Sequence, residues 1–89
     1  MKFAYDKNKS IINKTKHGIY LEEAKELWFV PSVEVAARTM DEPRFMIIGK
    51  INGKFYSCIY TLRDDAIRLI SARRSRKDEE EIYYEIIKT

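Results

Sequence analysis

Arginine is the residue type whose placement in this chain most needs a reason. The stretch "RLISARRSRKDEEE", Arg68 to Glu81, sets Arg68, Arg73, Arg74, Arg76 and Lys77 close before Asp78, Glu79, Glu80 and Glu81. A guanidinium is a planar fork of N–H donors that fits a carboxylate or a phosphate bidentately. Two chemistries suit it here. One is structural: Arg68 and Arg73 pair with Asp41, Glu42 or Glu79 and hold the sheet to its neighbours. The other is a grip on RNA phosphates, in which the same cations stabilise charge that grows on a phosphate as it is cleaved. Arg68 is the sharper case, because Ile67 and Leu69 flank it and an unpaired charge in mid-strand is costly to bury. Arg44, Arg63 and Arg74 extend the candidate anionic groove.

RNA cleavage by a 2′-hydroxyl also needs a group that takes a proton. His17 is the single histidine. At the end of a helix its cation suits the dipole; as a base near neutrality it suits the ribose hydroxyl. Glu42 and then Tyr60 follow it as candidates. Lys14 and Lys16 read as solvated rather than catalytic, and Lys16 joins the RNA contacts. Tyr56, Tyr60 and Phe55 read first as core, with one of them able to serve as a stacking platform for a base, and Tyr60 joins the RNA contacts. There is no second histidine, no CxxC, no Ser-His-Asp set and no glycine-rich phosphate loop, so neither a metal nor a cofactor is expected.

The whole chain bounds these readings. Its 89 residues suit one domain, 1–89, with one modest core. A 45% hydrophobic and 35% charged composition describes a folded, highly charged domain rather than a disordered one. The net charge of +3 is a mild bias toward anionic partners. The lone Cys58 permits no internal disulfide and, within "KFYSCIYTL", reads as a buried inert thiol. The lone cysteine fits a reducing cytoplasm; "MKFAYDKNK" lacks the apolar core of a signal peptide, and no stretch is long enough to span a bilayer.

The elements that must position the candidates follow from patterning. "MKFAY" alternates as a short strand. Asp6 caps a helix over "KNKSIINKTKH" that stops at Gly18. "LEEAKELWF" is a second helix with Leu21, Ala24, Leu27 and Trp28 on one face, ending before Pro31. The period then becomes two. "SVEVAA" and "RFMIIGKI" are strands; Asn52–Gly53 makes a tight hairpin to "KFYSCIYTL"; a turn near Asp64–Asp65 leads to "AIRLISAR". Ser75 and Asp78 form a capping-box pattern for a last helix whose first turn holds the acidic block. Ile82, Tyr83, Ile86 and Ile87 supply its apolar stripe. The sum is an α+β fold: two N-terminal helices on a mostly antiparallel four- to five-stranded sheet, with a C-terminal helix. Its sheet offers more apolar surface than three short helices cover, which predicts a partner.

The hairpin register predicts that Gly49, Ile47 and Phe45 oppose Tyr56, Cys58 and Tyr60 on one face. Arg44, Met46, Ile48, Phe55, Ser57, Ile59 and Thr61 share the other. A three-residue turn over Arg63–Asp65 then sends Arg68, Ile70 and Ala72 to the tyrosine face and Leu69, Ser71 and Arg73 to that of Arg44; a two-residue turn inverts this. Either way, one end of the sheet is expected to gather Arg44, Arg63, Arg68, Arg73 and Arg74.

These blocks resemble the BrnT toxin family over essentially the whole chain. "MKFAYDKNKSIINKTKHGIYLEEAKELW" is similar to its opening, and "EPRFMIIG", "YTLRDDAIRLISAR" and Glu79…Tyr83 to its later blocks, in order and with matching spacing. The resemblance implies a RelE-like fold and a cytoplasmic, metal-independent endoribonuclease that stops translation. It implies a BrnA-like ribbon-helix-helix antitoxin, in a complex of two toxin and two antitoxin chains that represses its own promoter and meets DNA only through the antitoxin. It carries Lys16, His17, Glu42, Arg44, Arg63, Arg68, Arg73, Glu79 and Tyr83 onto family positions. Two departures stand out: Tyr20 replaces the usual Ser or Thr cap, and the stretch after the arginines is acidic. The expected catalytic set is therefore Arg68, Arg73, His17 and Glu42, with Arg44, Arg63, Arg74, Lys16 and Tyr60 on RNA. The alternative is an inactive antitoxin-binding co-repressor or a plain RNA-binding module.

Overall fold

The computed structural model describes residues 1–38 and 41–87. Strand β1 (Lys2–Ala4) leads to helix α1 (Lys7–His17), which starts and stops as its chemistry dictates. The Asp6 carboxylate accepts the N–H groups of Asn8 and Lys9 at 2.8 and 3.1 Å, and Gly18 closes the helix in the left-handed region at φ 77°. Helix α2 (Leu21–Ala24) continues as a 3-10 helix over Lys25–Phe29. Leu21 and Ala24 of α2 and Leu27 of the 3-10 segment, spaced three apart, all reach 0% exposure while Trp28 is half-buried. Tyr20 offers no hydroxyl cap of the Ser or Thr kind. Glu23 instead accepts the Tyr20 N–H at 2.8 Å, and the buried Ser10 hydroxyl of α1 accepts that of Leu21 at 2.8 Å.

Strands β2 (Ser32–Ala37), β3 (Arg44–Ile51), β4 (Lys54–Arg63) and β5 (Ala66–Arg74) form an antiparallel meander. Strand β1 adds itself beside β5 in parallel, giving a mixed five-stranded sheet of order β1-β5-β4-β3-β2. The parallel pairing of β1 extends a sheet expected to be mostly antiparallel, because a three-residue strand signals no partner. Strand β1 pairs only with Ala66–Arg68. Beyond it, the buried Asn13 side chain of α1 replaces a strand: its amide donates to the Ala72 carbonyl at 2.8 Å and accepts the Ala72 N–H at 3.1 Å.

Helices α1, α2 and the 3-10 segment cover one face of the sheet. There Ile19, Leu21, Ala24, Leu27, Ile47, Cys58, Tyr60, Leu69 and Ala72 form the main core. Gly49 lets the end of the 3-10 segment sit against β3, since a Cβ there would lie 3.1 Å from the Pro31 carbonyl oxygen and 3.2 Å from Leu27 Cδ2. Gly49→Ala is therefore expected to destabilise by about 1–2 kcal/mol through overpacking, read as a lowered urea midpoint; an unchanged midpoint would show that the Pro31 backbone yields freely.

Helix α3 (Lys77–Ile87) covers one end of the other face, over Val33, Ile48 and Phe55. Its docking stripe is narrower than the sequence pattern predicts. Tyr83 is buried and meets Phe55 edge-on at 4.9 Å, with Ile82 half-buried beside it, whereas Ile86 and Ile87 are 54% and 39% exposed. Its cap is also displaced by one residue from Ser75–Asp78. Glu79 reaches back to the Arg76 N–H at 3.0 Å, and Ser75 bonds the Ser57 hydroxyl at 2.7 Å instead. No helix among the described residues is long and apolar enough to cross a membrane.

Candidate nucleic-acid interface

The turn between β4 and β5 has two residues, Asp64 and Asp65, with Asp64 at φ 56° and Arg63 opposite Ala66. This corrects the three-residue expectation. The physical reason is the burial of Leu69. A two-residue turn sends Leu69 into the helix-covered core at 2% exposure and puts Arg68 on the opposite, open face, which spares a guanidinium from desolvation. Tyr60 opposes Leu69, but Ile59 opposes Ser71, so Ile70 is an extra residue in β5. This β-bulge shifts the parity of everything after it. Ala72 therefore still reaches the core and Arg73 still shares the face of Arg44. Arg68 and Arg73, five residues apart, lie on one face only because of the bulge.

On that open face the side chains form rows across the strands. Ala4, Arg68 and Thr61 pair in register across β1, β5 and β4. Continuing the β3–β4 register one residue beyond Phe45–Tyr60 brings Arg44 alongside Thr61, with Ala37 next on β2. Thr61 is buried and donates its hydroxyl to the Pro43 carbonyl at 2.6 Å, which ties the chain entering β3 to the row. The neighbouring row holds Lys2, Ala66 and Arg63. Lys2, Arg63 and Arg68 line an open cleft of about 260 Å³ with Ala4, Ala66, Asp64 and Asp65. Arg63 also meets Glu42 at 3.1 Å. Arg68 is half-buried and Arg44 exposed, and neither forms an ion pair among the described residues.

Arg73 is differently placed. It lies two rows from Arg68, about 13 Å by strand rise, under the start of α3. Its two terminal nitrogens donate to the two oxygens of Glu79 at 2.8 and 2.7 Å. Glu79 is 5% exposed and also accepts the Ser57 hydroxyl at 2.8 Å and the Arg76 N–H at 3.0 Å. Burial opposes its ionisation, but the Arg73 guanidinium and these donors overcome it and hold the carboxyl at about 2. With its fork occupied, Arg73 performs the structural chemistry. Arg74 turns to the helix-covered face, where it donates to the Phe55 carbonyl at 3.2 Å and lies over the Tyr56 ring at 5.7 Å. The expected gathering of five arginines thus divides: Arg44, Arg63 and Arg68 at one end of the open face, Arg73 and Arg74 at the other end of β5.

The remaining candidates disperse. His17 is exposed at the end of α1 and, with Lys16, lines a separate cleft against Ile70 and Ser71 that shares no residue with the arginine cleft. Tyr60 is 5% exposed, donates to Glu34, and packs against Trp28 and Phe45 at 5.1 and 5.5 Å. Burial and then the Glu34 bond push its hydroxyl well above the usual tyrosine range. It is a core residue rather than a platform for a base. Cys58 is fully buried, and burial pushes its thiol up to about 12, so it is not a nucleophile. Two residues beside the arginines escaped sequence reasoning. Lys2 arrives through a parallel pairing that no local pattern signals, and Thr61 reads as an ordinary strand residue until Arg44 and Arg68 flank it.

A family model described as a ribonuclease toxin, BrnT, of type II toxin–antitoxin systems matches residues 5–79. No curated protein matches the chain.

Proposed function

We propose, since the chain belongs to the BrnT family of ribonuclease toxins of type II toxin–antitoxin systems, that it cleaves RNA internally and without a metal on the open sheet face. The row Arg44–Thr61–Arg68, with Lys2 and Arg63 beside it, is the observation that supports this reading. The ribose 2′-oxygen attacks the adjacent phosphorus, the P–O5′ bond breaks, and the leaving 5′-oxygen takes a proton from water. The products are a 2′,3′-cyclic phosphate and a 5′-hydroxyl. Arg68 forks onto the non-bridging oxygens as their charge grows, an interaction stronger in the transition state than in the ground state. Arg44 and Arg63 hold the flanking phosphates. Glu42, bound to Arg63 at the edge of the same face, is better placed than His17 to take the 2′-hydroxyl proton.

The same reading includes a fold akin to the RelE ribonucleases, action in the cytoplasm on translation, and a ribbon-helix-helix antitoxin of the BrnA type. The antitoxin would join in a complex of two chains each and repress the shared promoter. A protein partner is supported by the half-buried strip Val35, Met46 and Ile59, which lies between α3 and the arginine row and is only partly covered by the described residues. The test is to incubate the chain with a defined RNA, with and without EDTA, alone and beside translating ribosomes. New 2′,3′-cyclic ends that persist in EDTA are expected. Loss of cleavage in EDTA, or its absence in every condition, would overturn the proposal.

A further inference from the structure

Strand β2 is the last in the sheet and pairs with β3 alone. Its outer edge, along Ser32–Ala37, has no strand partner among the described residues. Proteins guard such edges with Pro, Lys, a bulge or a covering element. The opposite edge of this sheet is guarded: β1 is three residues long and carries Lys2, and the Asn13 amide occupies the ladder beyond it. Strand β2 carries one charged side chain, Glu34, and none of the other devices occurs among the described residues. "SVEVAA" contains neither Pro nor Lys, its pairing with β3 runs without a bulge, and Glu34 and Ala36 are exposed.

We propose that this edge binds the same edge of a second copy of the chain, antiparallel about a two-fold axis through Ala36, to make one continuous sheet. Three features of the strand select that partner and that register. Side chains opposite each other in such a pair share a face, so only residues of equal parity can meet. An axis through Glu34 would set two carboxylates against each other. An axis through Ala36 sets the small Ala36 against itself, Val35 against Ala37, and Glu34 against Arg38 twice over. Glu34 is already oriented by the Tyr60 hydroxyl through one oxygen, and no ion pair of Arg38 occurs among the described residues. The two cross-axis pairs fix register more than they add affinity. This axis also keeps the acidic α3 helices apart. Helix α3 packs against Val33, and Val33 and its mate would be about 20 Å apart along the strands. The interface is isologous, so it closes at two copies.

Sedimentation equilibrium tests it with a three-part comparison. The parent chain should be a dimer at micromolar concentration. Ala36→Lys and Ala36→Glu should each sediment as a folded monomer, because each sets like charges opposite on the axis. Mixing the two should restore the dimer. Ala36 is exposed, so both are expected to fold. If either does not, Arg38→Glu, just outside the strand, serves in its place and should weaken the dimer about tenfold. A parent chain that stays monomeric, or single variants that dimerise like the parent, would overturn the proposal. So would an edge protected from hydrogen exchange only after antitoxin is added, since that assigns β2 to an antitoxin strand.

Discussion

Arg68→Ala should lower RNA cleavage about 10²–10³-fold and end growth arrest, while unfolding free energy changes by less than about 1 kcal/mol. The large effect follows from where the guanidinium stands. It is half-buried on the uncovered end of the sheet, between Ala4 and Thr61, beside Lys2 and Arg63, with no ion pair among the described residues. An arginine that held the fold would be occupied, as Arg73 is. The small stability effect follows from the same facts, because removal breaks no carboxylate pair and strips only the packing of the alkyl stem. Arg68→Lys separates charge from geometry. A lysine keeps the point charge but loses the fork, so it should retain partial cleavage, about a tenth of the parent rate. Circular dichroism and antitoxin binding are the controls for folding. A folded Arg68→Ala chain that still cuts and still arrests growth would remove Arg68 from the site. If the parent itself binds RNA in a salt-dependent way yet leaves no new ends, the chain is a binding module and the arginines are phosphate contacts only.

How far the sequence revealed this arrangement depended on the range of the interaction. Helix α1, its Asp6 cap and its Gly18 stop were legible because each is made by neighbours in sequence. So was the β3–β4 register, since Asn52–Gly53 permits one tight turn. The face of Arg68 was not. Strand parity downstream of Asp64–Asp65 turns on one residue of loop length, and then again on the bulge at Ile70. Apolar patterning held a usable clue: Leu69 and Ala72, three apart, are both core residues, which an unbroken strand cannot achieve. Lys2 was illegible because a parallel partner has no local signature. The burial of Tyr60 agrees with its first reading as core, but its partners Trp28 and Glu34 are distant in sequence and had no local signal.

The acidic block beside the basic one is resolved into two functions. Asp78 and Glu80 sit in the first turn of α3, where negative charge suits the dipole. Glu79 does more, because it binds β5, β4 and its own helix start at once. Glu79→Ala is accordingly expected to cost about 3 kcal/mol: it leaves the Arg73 guanidinium without its carboxylate and removes one of the bonds of the buried Ser57 hydroxyl. The pH dependence has a definite sign. Folding lowers the Glu79 carboxyl from its ordinary 4.5 to about 2. A depressed carboxylate contributes its full stability above the unfolded value and loses it as pH falls through the folded one. In urea titrations the parent should therefore exceed Glu79→Gln by about 3 kcal/mol near neutrality, by roughly half that near pH 3, and by little below about pH 2. Hydrogen exchange should place the loss first in α3, which this carboxylate joins to the sheet. A difference that stays flat across that acid window would mean that the ion pair does not hold the helix, and that the Phe55–Tyr83 contact alone keeps α3 in place.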